Sequence, residues 1–141
     1  MKALSLWEPW ASLMACGAKK IETRSWPTKY RGPLLICAAK RKMDSDSDYA
    51  VGAAVGAAYD AGYFRDTPFP RNYGMAVCVV DLFGCVPVEE AMDSEELELT
   101  LGNYTPGRFA WLTNNLRAIE PFPVVGRQGL FEVCFELGRI Q

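Results

Sequence analysis

The chain has no histidine in 141 residues. That absence excludes Ser-His-Asp and Cys-His catalysis, histidine acid–base pairs and histidine-ligated metals. Any chemistry must run on Lys, Glu, Asp, Tyr, Thr, Ser or Cys. No two of the five cysteines (16, 37, 78, 85 and 134) are separated by two residues, so the sequence offers no zinc-binding Cys pair. Their number is odd and four sit in apolar runs, which reads as reduced core thiols of a cytoplasmic protein. No apolar run reaches eighteen residues, so no membrane helix is expected. The short first apolar segment is followed at once by charges and does not read as a signal peptide. Internal repeats are absent too. No metal or cofactor is expected.

What is present is ordinary in bulk and uneven in detail. Hydrophobic residues make up 50% and charged residues 23%, the balance of a single globular domain able to bury its own core. The net charge is −2, yet residues 1–43 carry nine Lys/Arg against two Asp/Glu. A phosphate-bearing partner would be drawn to such a segment. Alternatively, the two halves intermix in the fold and the asymmetry cancels in space.

The spacing predicts a strand over 2–7, then a helix over 9–16. Pro9 suits its first turn, and Trp10, Leu13 and Met14 share a face expected to be core. Gly17 suits the cap after it. The pattern then changes to period two. Lys20, Glu22, Arg24 and Trp26 fall on one face of a strand, Ile21 and Thr23 on the other. A face bearing three charges and a tryptophan lines either solvent or a polar cleft.

Leu34 to Ala39 reads as a strand buried on both faces, closed by Lys40-Arg41-Lys42. Residues 43–73 read as a helical insertion. Asp44 to Asp48 supply N-cap candidates, and Gly52 and Gly56 imply a helix packed closely on another surface. Met75 to Phe83 is the clearest buried strand, with a bend at Gly84 before Cys85 to Val88. Residues 89–101 read as an exposed acidic helix or turn. Phe109 to Thr113, Ala118 to Phe122 and Leu130 to Leu137 read as three more strands, the last with Phe131, Val133, Phe135 and Leu137 on a buried face. The expected fold is α+β: a small mixed sheet of about six strands curving into a barrel, with two or three inserted helices.

Gly17-Ala18-Lys19-Lys20-Ile21-Glu22-Thr23-Arg24 fits the pattern Gly-x-Lys-x-x-Glu-x-Arg. With Trp10-Ala11-Ser12-Leu13 before it, and with Arg108-Phe109-Ala110-Trp111-Leu112, Pro121-Phe122-Pro123-Val124 and Gly126-Arg127-Gln128-Gly129-Leu130-Phe131 far downstream, the chain resembles the ASCH domains of the PUA-like superfamily. The resemblance covers nearly all of residues 1–141 as one domain. It sharpens the barrel to a PUA-like barrel and makes Lys19 the motif lysine.

On this reading the domain holds an RNA base, nucleotide or modified nucleoside in a cleft. Lys19, Glu22 and Arg24 wall it, Trp26 stacks on a base, and Tyr30 and Arg31 flank its mouth. Glu22 could accept from an exocyclic amine and Arg24 could bind a phosphate or carbonyl. Lys20 stays solvated. Trp10, Phe109 and Trp111 belong to the core, Trp7 is ambiguous, and the Gly126–Gly129 turn is a strand connection from which Arg127 could reach a phosphate.

A rival reading is an enzyme. Some ASCH-like proteins hydrolyse the amide of N4-acetylcytidine and others are linked to RNA cleavage. The resemblance would then make Lys19 catalytic, but that amidohydrolase type has threonine where Glu22 stands, and its downstream acid has no placed counterpart. A third reading, a protein-interaction domain, would use the acidic 89–98 segment and the Ala/Gly-rich helix.

Overall fold

The computed structural model describes residues 1–42 and 48–138. In chain order the elements are β1 (Lys2–Leu6), α1 (Trp10–Ala15), β2 (Ile21–Arg24), β3 (Gly32–Ala38), α2 (Asp48–Asp60), β4 (Met75–Pro87), a 3-10 turn (Val88–Ala91), α3 (Glu96–Thr100), β5 (Phe109–Pro123) and β6 (Leu130–Glu132). The strands form one sheet in the order β2-β5-β4-β3-β1-β6. Only β1 and β3 run parallel; every other pair is antiparallel.

The long β4–β5 pair gives the sheet its curl. Its register shifts three times, between Ala76 and Cys78, Val79 and Asp81, and Leu82 and Gly84. Each irregularity bends the ladder and adds twist. At Gly84 a Cβ would lie 3.1 Å from Leu112 Cδ1, so any larger residue there would press on the Leu112 side chain across the pair. The curled sheet forms a half-barrel whose end strands, β2 and β6, do not pair with each other. Its concave side holds the main core, where Leu4, Leu6, Leu34, Ile36, Leu82 and Trp111 pack with Met14 of α1. The opposite face carries a second cluster built on Ala3, Leu35, Val79 and Phe131.

Several expectations are met by local physics. Helix α1 ends with Gly17 at φ +91, its N–H donating to the Met14 carbonyl. The 131–137 alternation matches the burial: Phe131 is buried, Val133, Phe135 and Leu137 are half-buried, and Glu132, Cys134 and Glu136 are exposed. The ladder, however, stops at Glu132. Beyond it the chain is held by mutual bonds between the Met1 and Val133 backbones and by Phe135 stacked 5.2 Å from Phe122. Burial and hydrogen-bond pairing are separate properties, and alternation reports only the first.

Other expectations are corrected. The two strands expected at 109–113 and 118–122 are one, because Asn115 takes a positive φ of 54 and lets the chain pass an irregularity without leaving the sheet. In α2, Gly52 and Gly56 make no close approach: a Cβ at either would meet nothing within 4 Å. Ala54 and Ala58 are the contact residues, fully buried against Leu13, Phe69 and Leu101. The N-cap candidates at 44–47 lie outside the described residues. Among the described residues, no helix is long and apolar enough to cross a membrane.

Candidate functional site

Where the half-barrel fails to close, it leaves a cleft of about 1010 Å³. The open seam follows from the lengths of the edge strands. β6 pairs with β1 only as far as Leu4, so Ser5 and Leu6 have no strand on that side. Arg24 crosses the gap from β2, its Nη2 donating to the Ser5 carbonyl at 2.8 Å. Gly126 approaches the same point, where a Cβ would lie 3.2 Å from Ser5 Oγ.

The charged face of β2 turns into this cleft. Glu22 pairs with Trp111 and Arg24 with Phe109, so the two charges share the concave side with core aromatics. Ile21 and Thr23 face the other way. Ile21 packs with Val88, Ala91 and Ala110 under the β4–β5 connection, so both faces of the strand are covered. Trp26 follows, edge-on to Trp111 at 4.7 Å, with the Trp111 indole N–H donating to the Trp26 carbonyl at 3.2 Å. Glu22, Arg24 and Trp26 all line the cleft.

Lys19 does not line it. Its side chain is buried, and Nζ donates to the carbonyls of Ile21 at 2.7 Å and Leu101 at 2.6 Å. Nζ also stands 3.5 Å from Glu22 Oε1 and 5.9 Å from the Trp10 ring. Three oxygens thus surround one ammonium behind the cleft wall. The expectation that Lys19 walls the cleft directly with Glu22 and Arg24 is corrected: it stands behind the wall instead, bonded to the Leu101 carbonyl in the connection after α3. Glu22 in turn carries Arg24 Nε at 3.0 Å from Oε2. The order of charges from the interior outward is Lys19, Glu22, Arg24.

Tyr30 and Arg31 are also absent from the cleft lining. Both bond within their own turn: Tyr30 Oη donates to the Pro33 carbonyl, and Arg31 Nη1 donates to the Thr28 and Tyr30 carbonyls. Lys20 is exposed, as its position implied.

The remaining walls come from other segments, of which the sequence pointed only to the Arg127 turn as a phosphate contact. Lys40 and Arg41 enter from the end of β3, Arg108 from the start of β5, and Arg127 from the turn before β6. Trp7 and Trp10 complete the aromatic lining. Trp10 therefore serves both the core and the cleft, and Trp7 is 40% exposed with the Arg41 guanidinium 5.8 Å from its ring centre. Arg108 is fixed by donating to the Thr23 and Asn103 carbonyls. The cleft lining holds five cations, Arg24, Lys40, Arg41, Arg108 and Arg127, and one carboxylate, Glu22. The basic run after the β3 strand was the available sequence signal for Lys40 and Arg41. Nothing local pointed to Arg108.

Two buried carboxylates brace the site from behind. Glu8, 2% exposed, accepts from the Ser12 N–H at 2.8 Å, the Ser12 hydroxyl, and the Asn72 N–H at 2.7 Å. It satisfies a first-turn donor of α1 and ties that helix to the segment after α2. Glu98 of α3 accepts from the Lys20 and Ile21 N–H groups at 2.9 and 3.2 Å. Burial pushes its carboxyl above the usual range, and the two amide bonds and nearby lysines only partly offset this. The acidic 89–101 segment is thus not wholly exposed; Glu98 holds the edge of β2 in place.

Comparison with known proteins adds the following. The ASCH domain family model matches residues 4–123. The chain is 36% identical over 133 residues to activating signal cointegrator 1 of Homo sapiens and 29% identical to that of Mus musculus; each match covers 92% of this chain and 22% of the relative. The chain therefore spans about a fifth of the length of the curated relatives it matches. Among solved structures, ASCH from Zymomonas mobilis superposes with a TM-score of 0.56 at 15% identity, over 94% of this chain and 86% of that one. A point mutant of that protein gives 0.51 at 16% identity. At such identity the likeness speaks to the fold alone, and it places the curled six-stranded sheet with three helices in the PUA-like α+β class.

Proposed function

From the premise that the chain belongs to the ASCH domain family, we propose that it is a nucleic-acid-binding domain whose seam cleft holds an RNA base or nucleoside. The phosphates lie on the surrounding cations. The observation that carries this reading is the lining of a single cleft by five cations and three tryptophans. Cations neutralise phosphates, and aromatic faces stack unpaired bases at ~1–3 kcal/mol each. Among the described residues Lys40 and Arg127 make no ion pair, so their charges are free for a ligand.

The hydrolytic alternative needs a lysine amine able to reach substrate. Lys19 instead sits behind Glu22 with three oxygens about its Nζ. Its position suits a group that holds the wall of the cleft. The domain acts as a binder on this reading, and wild-type protein should leave N4-acetylcytidine unchanged.

The test is a titration of fluorescent mixed-sequence single-stranded RNA at increasing salt. The logarithm of affinity should fall with a slope of ~0.7 per phosphate contact, thus roughly 2–3 for three or four engaged cations. Reversing Lys40 and Arg127 together to Glu should weaken binding and flatten the slope. Reversing Lys29, exposed and outside the cleft, should do neither. Salt-independent affinity, or no binding at low salt, overturns the proposal.

A further inference from the structure

Glu22 is the one acid in a cleft otherwise lined by cations. A phosphate cannot rest against a carboxylate, and a lysine- or arginine-bearing ligand would be repelled by the surrounding cations. What remains for this spot is a neutral group that only donates hydrogen bonds. Lys19 and Arg24 engage one carboxylate oxygen each, at 3.5 and 3.0 Å. An ionised carboxylate has about four lone-pair sites over its two oxygens. Each oxygen therefore keeps an acceptor site, and the side chain, 14% exposed, lines the cleft together with Trp26.

Two acceptors side by side on a fixed plane match two adjacent N–H donors. Among the bases, only guanine offers these on its pairing edge, as N1–H and the exocyclic N2–H. Adenine and cytosine place one N–H beside an acceptor nitrogen. Uracil flanks its one N–H with two carbonyl oxygens, which a carboxylate repels. Resting on the nucleic-acid reading above, we infer that Glu22 reads the pairing edge of an unpaired guanine, held by Lys19 and Arg24 as positioning residues. The carboxylate plane is fixed before the ligand arrives, because both its oxygens are already tied to cations on the same face of the fold.

The test compares GMP, IMP, AMP, CMP and UMP as competitors of a bound fluorescent mixed-sequence RNA. IMP is guanine's analogue without the N2 amine and isolates the second hydrogen bond. GMP should compete roughly tenfold better than IMP, AMP, CMP or UMP, within the range a good bidentate base contact supplies. Glu22→Gln, which replaces one acceptor by a donor, should erase the preference of GMP over the other four nucleotides. Equal competition by all five nucleotides, or a preference for UMP, overturns the guanine assignment and leaves the RNA-binding reading standing. Absence of RNA binding at low salt overturns both. The GMP–IMP ratio on wild-type protein needs no variant, so it decides the matter even if Glu22→Gln does not fold.

Discussion

Replacing Lys19 by methionine should destabilise the fold far more than an exposed lysine could. Methionine keeps the apolar stem and removes the ammonium. The Ile21 and Leu101 carbonyls then lose their donor, and Glu22 loses one of its two cations. Removing one member of a buried ion pair costs ~3–5 kcal/mol, and a buried polar group left unsatisfied costs ~1–3 kcal/mol. Here Glu22 keeps Arg24 and touches the cleft, which moderates the first figure. A loss of about 3–5 kcal/mol in all is the working value. For a chain of this size each kcal/mol shifts Tm by roughly 3–5 °C, so the transition should fall by about 9–25 °C.

Urea unfolding of wild type, Lys19→Met, Glu22→Gln and the double variant measures this. The midpoint should drop strongly for Lys19→Met with the slope m unchanged. The double variant should recover a coupling of ~0.5–3 kcal/mol, because the uncompensated carboxylate is gone. A Lys19→Met protein within about 1 kcal/mol of wild type would refute the reasoning. It would mean that the ammonium is solvated, as an ordinary surface lysine is.

Glu98 has its carboxyl raised by burial, so the folded state binds its proton more readily than the unfolded chain. Its contribution to stability is greatest below the ordinary value of 4.5 and declines as pH rises through the raised value. Glu98→Gln should remove that decline, read as urea midpoints collected from pH 4.5 upward in both proteins; parallel curves would count against it. Among the thiols, burial pushes Cys37 and Cys78 up to about 12, whereas Cys134 is exposed. Iodoacetamide on the native protein should therefore label Cys134 first and spare Cys37 and Cys78 until the chain unfolds, as peptide mapping would show.

The features legible in the sequence are those set within a few residues. Helix α1 and its Gly17 cap, the charged face of β2, the β4 run and the alternation through Leu137 depend on spacing alone. The features that were not legible depend on partners far along the chain. Lys19 turns inward toward Leu101, 82 residues away. Glu98 meets the Lys20 amide across 78 residues. Arg108 and Arg127 reach the cleft only because β5 pairs with β2 and the turn before β6 closes on Ser5. No periodicity reports such pairings. Tyr30 and Arg31 show the opposite failure: they flank the cleft mouth only if the Pro27–Pro33 turn folds over it, but Tyr30 Oη and Arg31 Nη1 bond within that turn and neither residue lines the cleft.

The open seam and the charges of β2 require each other. A closed barrel would bring β2 against β6 and the unpaired end of β1, and bury Glu22 and Arg24 in the apolar interior that Trp111 and Leu6 already occupy. Two charges without water cost several kcal/mol apiece, and their attraction offsets this only with further hydrogen bonds. Lys19, the Ser5 carbonyl and the cleft supply those bonds, but only while the gap stays open. The uneven charge along the chain has the same origin. Arg24, Lys40 and Arg41 come from the basic first third, while Arg108 and Arg127 come from the acidic remainder. The halves do intermix, yet cations from both collect at the seam, and among the described residues no acid of the remainder lines it. The short edge strands leave the seam open, and the charged pair suits the polar mouth that results.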